Sequence, residues 1–481
     1  MKEPHRNKPA PWIAIDQRTE VPFFRQIYER VRNAITGNLL LPGQRLPSVR
    51  DLASQLAVAR GTVDVAYNLL ANEGYIVCRG AAGTVVAPIL ENLSPLQRQA
   101  LKVIHKTKSS QRRSTIAPAY VPGPFQVGLP ALDAFPRQLW SRMAVRRARN
   151  LDAAAMLQPD PFGYGPLREA IASYLALARG VVCSVEQVVI TSGFQGALGL
   201  LTRVVLKPGD KVWMEDPGYL MCKFALETMG ARIVPVPVDD DGMNVSVGIK
   251  RSPRARLAIV TPSHHALLGV TLSLSRRLSL LEWANEVGSL IVEDDYDGEF
   301  HYDSKPLPAL KSLDKTERVI YSGTFSKVLF PGLRLGYLVL PPSWIDPFAR
   351  TLRNLYGDGA TFNQAVVADF IADGHFGRHI RRMRQLYAER RAAVVEAFDE
   401  TFGDSLSIKL TAGGMHLLAK LDSQERDIVV AKKANAQGLG VTPLSPWCIG
   451  LDCQQGLLLG FANIPEVRAK QEVQRLKKAI T

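Results

Sequence analysis

The sequence predicts an α/β protein in two parts: a small N-terminal helix-turn-helix with a β wing, and a large domain built on an open, mostly parallel sheet. Three observations carry this. In residues 22–74 apolar side chains recur at helical spacing in three short segments, and a glycine-rich hairpin follows. From about residue 125 short apolar runs alternate with amphipathic helices. Between the two lies a stretch rich in lysine, arginine and proline, with little apolar periodicity after Leu101.

The N-terminal part reads in order. Phe24, Ile27, Val31 and Ile35 share one helix face, with Pro22 at the start and Gly37 at the end. Pro42-Gly43 is a turn. Ser48 is placed to cap a second helix that packs Leu52 and Leu56, and Asp51 stands at its third position, as in a capping box. A third helix runs from Arg60 to Leu70 and ends before Gly74. Residues 75–86 read as two strands round a Gly-rich tip.

As a set, PGQRLPSVRDLA, RGTVDVAYNLL, EGYI and the hairpin resemble the winged helix-turn-helix of GntR-type transcription regulators. The resemblance implies double-stranded operator DNA as a partner. It places Ser48, Arg50, Arg60 and Thr62 toward that DNA, and Arg79 and Gly80 on the wing. Arginine at the start of a recognition helix can grip guanine or phosphate, and a helix N-terminus attracts phosphate. A plain surface cation is the alternative for each arginine. Ala59 stands where the family usually has Ser or Thr, and Gly61 where a polar residue is frequent, so the third helix should lack a side-chain cap.

Net charge is +14, and the excess is dense only near the N-terminus. Residues 1–90 hold 11 Lys/Arg against 7 Asp/Glu, residues 91–120 hold 6 against 1, and the remaining 361 hold 42 against 37. That distribution suits nucleic acid. The stretch 89–124 reads as an extended tether whose charge either adds salt-sensitive DNA affinity or is merely solvated. The five cysteines are scattered, no metal-ligand spacing occurs among them, and reduced thiols in a cytoplasm are expected. No apolar run is long enough to span a membrane, and the first residues lack the apolar core of a signal peptide.

In the large part, Leu167–Leu177 is an amphipathic helix. Strands follow at 187–193, entering a Gly turn, at 211–219 and at 257–265, and the apolar runs 290–292 and 319–321 read as two more. Two of these carry chemistry. Val319-Ile320-Tyr321 runs into Ser322, Thr324, Ser326 and Lys327, with Arg334 seven residues on. Hydroxyls and an arginine suit a phosphate. A lysine in a dry pocket has a lowered pKa and forms Schiff bases with aldehydes. Pyridoxal phosphate carries both groups; a strand, a turn and two solvated cations are the bland alternative. Upstream, Leu290-Ile291-Val292 ends in Glu293-Asp294-Asp295-Tyr296-Asp297, at a strand end where open α/β sheets bind ligands. A carboxylate there can keep a pyridine nitrogen protonated.

The strings LREAIASYL, TSGFQGAL, PGDKVWMEDPGY, IVEDDYDGEF and YSGTFSKVLFPGLRLGYL, in this order, resemble the fold type I aminotransferases. That family implies a mostly parallel seven-stranded sheet, a small C-terminal α+β lobe and pyridoxal phosphate. Carried over, Lys327 is the Schiff-base lysine and Asp294 pairs the pyridine nitrogen. Tyr296 bonds the ring oxygen, with His264 loosely placed beside it, and Tyr219 stacks on the ring. Gly193, Phe194, Gln195, Thr324, Ser326 and Arg334 hold the phosphate.

A GntR-type head on such a domain resembles the MocR/GabR regulators over nearly the whole chain, with parts at 12–88, 89–124 and 125–481. The resemblance implies a head-to-tail homodimer that senses a small amine, an amino acid or the cofactor itself through Lys327, without physiological turnover. A working aminotransferase and a non-responsive cofactor-binding scaffold remain alternatives. Two departures bear on the choice. Gln158 stands where a tyrosine is expected. Leu458 falls where catalytic relatives carry the arginine that grips a substrate carboxylate, unless the register slips toward Arg468.

Overall fold

The computed structural model describes residues 15–16, 19, 21–79, 83–88, 122–151, 153, 156–157, 160–302, 308–355, 361–403, 406–421, 425–450 and 454–480. The chain forms two compact units, 1–120 and 121–481, so the division falls four residues before the expected start of the large domain.

In the first unit α1 (Phe23–Thr36), α2 (Val49–Leu56) and α3 (Arg60–Asn72) enclose Ile27, Val31, Leu52, Val63, Ala66 and Leu70, all fully buried. Pro22 and Gly37 bound α1 as expected. The Ser48 hydroxyl accepts from the Asp51 amide at 3.1 Å and donates to the Asp51 carboxylate at 2.7 Å. The cap is therefore present, but its return arm meets the Ser48 hydroxyl rather than the backbone amide. Helix α3 has no side-chain cap at Ala59. β1 (Ile76–Cys78) pairs antiparallel with β2 (Thr84–Val86) to make the wing. Its tip, including Gly80, lies outside the described residues.

In the second unit β3 (Val188–Thr191) leads into α4 (Gly193–Val205). Next along the chain come β4 (Lys211–Asp216), β5 (Arg232–Asp239), β6 (Gly242–Met243) and β7 (Leu257–Val260). They are followed by β8 (Leu290–Asp295), β9 (Val319–Thr324) and β10 (Gly336–Val339). One sheet results, in the order β3-β10-β9-β8-β7-β4-β5-β6. Strands β5, β4, β7, β8 and β9 are mutually parallel, and β10 runs antiparallel to both β9 and β3. The expected seven strands are there, and the two-residue β6 extends the edge as an antiparallel hairpin with β5.

These strands read as unbroken apolar runs because both faces are covered. Along β8, Leu290 and Val292 pack into one core while Ile291 packs into the other. Trp213 of β4 stacks on Trp283 with ring centroids 3.8 Å apart on the second face. The period-2 alternation then sends consecutive residues at the strand ends to opposite sides.

The C-terminal lobe follows α5 (His375–Phe402). It holds β11 (Ser407–Lys409), β12 (His416–Lys420), β13 (Thr442–Pro443) and β14 (Gly456–Gly460), closed by α6 (Glu466–Ile480). Its sheet is antiparallel, in the order β11-β12-β14-β13. Leu457 and Leu459 face Phe398 of α5 and Val473 and Leu476 of α6. Leu458 points the other way, into a small cluster with Leu267, Leu418 and Leu444. One residue of register thus decides which leucine faces the large domain.

The expectation of reduced thiols fails at one position. Cys78, Cys183 and Cys222 are free, but Cys448 is disulfide-bonded; Cys453 lies outside the described residues. The scattered spacing gave no sign of this. Just after Cys448 the Asp216 carboxylate accepts from both the Ile449 and Gly450 amides. Among the described residues no helix is long and apolar enough to cross a membrane.

Candidate functional site

A cavity of about 390 Å³ opens where β8 and β9 end and the C-terminal lobe begins. It gathers Lys327, Asp294, Tyr296, Tyr219, Gly193, Phe194, Gln195, Thr324, Ser326 and Arg334 onto one wall. Residues separated by more than 140 positions meet because each follows a sheet strand at the same edge.

Lys327 lies just beyond β9. Its Nζ donates to the Gly128 carbonyl at 2.9 Å. Gly128 has φ +72°, and a Cβ there would collide with the Lys327 amine, so both its backbone and its lack of a side chain are needed. Burial pushes the Lys327 pKa below the usual lysine value, against the opposing pull of Asp297 and Asp294. The amine is thereby easier to deprotonate, which is the form that attacks a carbonyl carbon.

Asp294 and Asp295 are neighbours with opposite surroundings. Asp295 faces Arg179, whose Nε and a terminal nitrogen reach its Oδ2 at 2.8 and 2.6 Å, and Tyr321 donates to the same oxygen at 2.6 Å. Asp294 faces the cavity, and its Oδ1 is buried without a hydrogen-bond partner. Burial first, then the charges of Asp295, Glu215 and Asp297, raise its pKa well above the carboxylate range, with Lys327 opposing. An uncompensated buried carboxylate oxygen is a place where a cationic N–H belongs.

The Tyr296 hydroxyl lies 2.8 Å from His264 Nδ1. His264 itself is not on the cavity wall. It stands behind Tyr296, 3.3 Å from an Asp297 oxygen, because Gly414 leaves no side chain between it and β12. It thus contacts Tyr296 and is not among the residues that line the cavity. Tyr219 stacks on Trp447, with centroids 6.0 Å apart and planes 19° apart, and tilts against Phe194.

At the other end, α4 begins at Gly193, with φ +75°. Arg334 adopts a left-handed conformation, φ +50°, and reaches the Gln195 side chain at 3.2 Å. The Ser326 amide donates to the Thr324 hydroxyl at 3.2 Å. A helix N-terminus, two hydroxyls and a guanidinium make a site for a phosphate dianion.

Sequence reasoning missed several wall residues. Gly128 and Val127 come from a distant loop, and nothing local marks them. Asp297 was visible in the acidic run but had no role; it lines the cavity, with Oδ2 making no hydrogen bond and lying 3.3 Å from His264 Nδ1. His416, Thr442 and Trp447 come from the C-terminal lobe. Leu458 lies on the wall and Arg468 does not; Arg468 pairs with Glu472 on α6 at 2.5 Å. Gln158 lies outside the described residues.

In the first unit Ser48, Arg50, Arg60 and Arg79 are exposed and Thr62 is half-buried. Arg60 is the first residue of α3 and Arg50 the second of α2. Arg45, unassigned from sequence, is exposed, pairs through its backbone with Val85 and lays its guanidinium on Gly83 of the wing.

Comparison with known proteins agrees with both units. Residues 140–458 match the family described as Aminotransferase class I and II, and residues 24–86 match Bacterial regulatory proteins, gntR family. The chain is 37% identical, over 97% of its length and 95% of the relative's, to a probable rhizopine catabolism regulatory protein MocR of Rhizobium meliloti. It is 32% identical, over 98% of each, to the HTH-type pyridoxine biosynthesis transcriptional regulator PdxR of Corynebacterium glutamicum. Among solved structures, a Thermus thermophilus α-aminoadipate aminotransferase complexed with N-(5'-phosphopyridoxyl)-L-leucine superposes with a TM-score of 0.68. That match has 28% identity and covers 74% of this chain and 91% of the other. Pyridoxal phosphate is the cofactor of this domain. The cavity fits it on three counts: a half-buried lysine amine, an orphaned carboxylate oxygen and an anion cradle.

Proposed function

Because the chain belongs to the MocR-type transcriptional regulators, with a GntR-type winged helix fused to an aminotransferase-like domain, we propose that it senses a small amine at Lys327 and reports it through DNA binding. When bound, pyridoxal phosphate supplies an aldehyde carbon that condenses with a primary amine. Asp294 would accept from the ring nitrogen, Tyr296 would donate to the ring oxygen, and Tyr219 would lie against the ring. Thr324, Ser326, Arg334 and the start of α4 would hold the phosphate.

The observation that carries the reading is the unpartnered Asp294 oxygen in the same cavity as the half-buried Lys327, in a chain that also bears a winged helix. An incoming amine competes with Lys327 and frees its Nζ. The amine must bind two arrangements of the protein with different affinity for this to change DNA occupancy. A homodimer, head to tail, would present two winged helices, with Arg50, Arg60, Thr62, Ser48 and Arg79 at the DNA. Turnover is not part of this function: catalysis requires contacts made only in the transition state, and the wall at Leu458 offers an α-carboxylate no guanidinium.

Lys327→Ala should abolish the near-visible absorbance band of the cofactor-loaded protein completely. A wild type that stays colourless after incubation with pyridoxal phosphate sinks the reading. Arg60→Ala should weaken operator binding about tenfold or more, as loss of a base or phosphate contact does, measured by fluorescence anisotropy at fixed salt. Steady keto-acid release faster than about one per second, within the usual enzyme range, would favour the aminotransferase alternative.

A further inference from the structure

We propose, resting on the amine-sensing reading above, that the cavity selects a primary amine that carries no acidic group. The cavity is charged at one end only. Among its described lining residues the cations are Lys327 and Arg334. Lys327 is held by Gly128, and Arg334 lies with Gln195 at the anion cradle.

The facing wall is made by Leu458, Leu267, Met415, Thr442, Trp447 and His416. Leu458 is fully buried and packed against Leu267, Leu418 and Leu444. A carboxylate or sulfonate pressed against it would lose its hydration and meet no counter-charge, which burial penalises heavily. His416 does not supply one. Burial and the nearby His264 push its pKa down to about 4, so it is neutral at pH 7. Its Nε2 lies 3.3 Å from the Leu267 carbonyl, which leaves that nitrogen committed to the backbone.

Asp297 adds a second, independent bias. It lines the cavity at 1% exposure, and its Oδ2 makes no hydrogen bond, with His264 Nδ1 3.3 Å away. It shares the cavity lining with both Lys327 and His416. A second anion would be repelled there; an ammonium group approaching Lys327 would be attracted. The body of the ligand meets the Trp447–Tyr219 stack and the Thr442 hydroxyl, both suited to an uncharged aromatic or hydroxylated skeleton.

The test uses matched probes that differ only by a carboxylate: 2-phenylethylamine against L-phenylalanine, and tyramine against L-tyrosine. Each is titrated into the cofactor-loaded, full-length protein by calorimetry, and operator affinity is followed by anisotropy. Each amine should bind at least tenfold more tightly than its amino acid. Leu458→Arg should raise amino-acid affinity at least tenfold. Because an arginine in that leucine cluster can prevent folding, Thr442→Arg, at the register partner of Leu458 and only half-buried, is a second route to the same gain. Equal or tighter binding of the amino acids by the wild type overturns the proposal, as does failure of both amines to bind at millimolar concentration. Either result in a protein that shows the visible band and binds operator leaves the amine-sensing site without this selectivity; absence of the band defeats the broader reading first.

Discussion

The floor of the cavity concentrates charge, and the described residues of the wall opposite carry none. On the floor, Asp294, Asp297, Lys327 and Arg334 line a space that also borders the buried Asp295–Arg179 pair. On the wall, Leu458 and Leu267 stand among uncharged neighbours. Buried charge is costly unless something balances it. Asp295 is balanced within the chain by Arg179 and Tyr321, whereas Asp294 is left open to the cavity. The difference teaches where selection for a bound partner acts: the floor keeps groups that destabilise the empty protein, and the wall keeps only what packs well.

If the floor is held together by its internal pair, Arg179→Met should be the most damaging change. It strands the Asp295 carboxylate and should cost about 3–5 kcal/mol, the usual effect of removing one member of a buried pair, measured by denaturant unfolding of the large domain. A cost under about 1 kcal/mol would mean that the pair is solvated after all. Next in size is Gly128→Ala. Its left-handed backbone alone should cost about 1–3 kcal/mol, and its collision with the Lys327 amine should also lower cofactor loading, read from the visible band.

The smallest effect is the sharpest test of the open carboxylate. The folded-state pKa of Asp294 is raised above its unfolded value. A native state that binds the proton more tightly loses stability as pH rises through the window between the two values. The cofactor-free wild type should therefore fall behind Asp294→Asn as pH increases from about 4 upward, by at most about 1.4 kcal/mol per pH unit. The same variant should load pyridoxal phosphate more weakly. An Asp294→Asn protein that is less stable than wild type at neutral pH, without cofactor, would contradict the raised pKa.

Much of this was legible beforehand because the signals were local. A strand that is buried on both faces must be apolar throughout, so β8 and β9 stood out, and the polar residues after each had to lie at the sheet edge. Ser48, Pro22 and Gly37 announced their helix ends for similar reasons. His264 was less legible, because sequence proximity to the site does not say which side of Tyr296 it takes; that is decided by Gly414, 150 residues later. Gly128 was invisible, since a carbonyl acceptor has no side-chain signature. The role of Leu458 rested on a register that only the β12–β14 pairing fixes, and nothing in the cysteine spacing marked the Cys448 disulfide.

The bond from Lys327 to Gly128 has a mechanical side. Gly128 sits eight residues beyond the division between the two compact units, in a segment stitched to the C-terminal lobe by Phe125–Gly460 and Pro124–Gly440. Whatever draws the amine away removes a fastening between Lys327, just beyond β9, and that same short length of backbone. Occupancy of one nitrogen is thus felt at the backbone that joins the sheet edge to the C-terminal lobe.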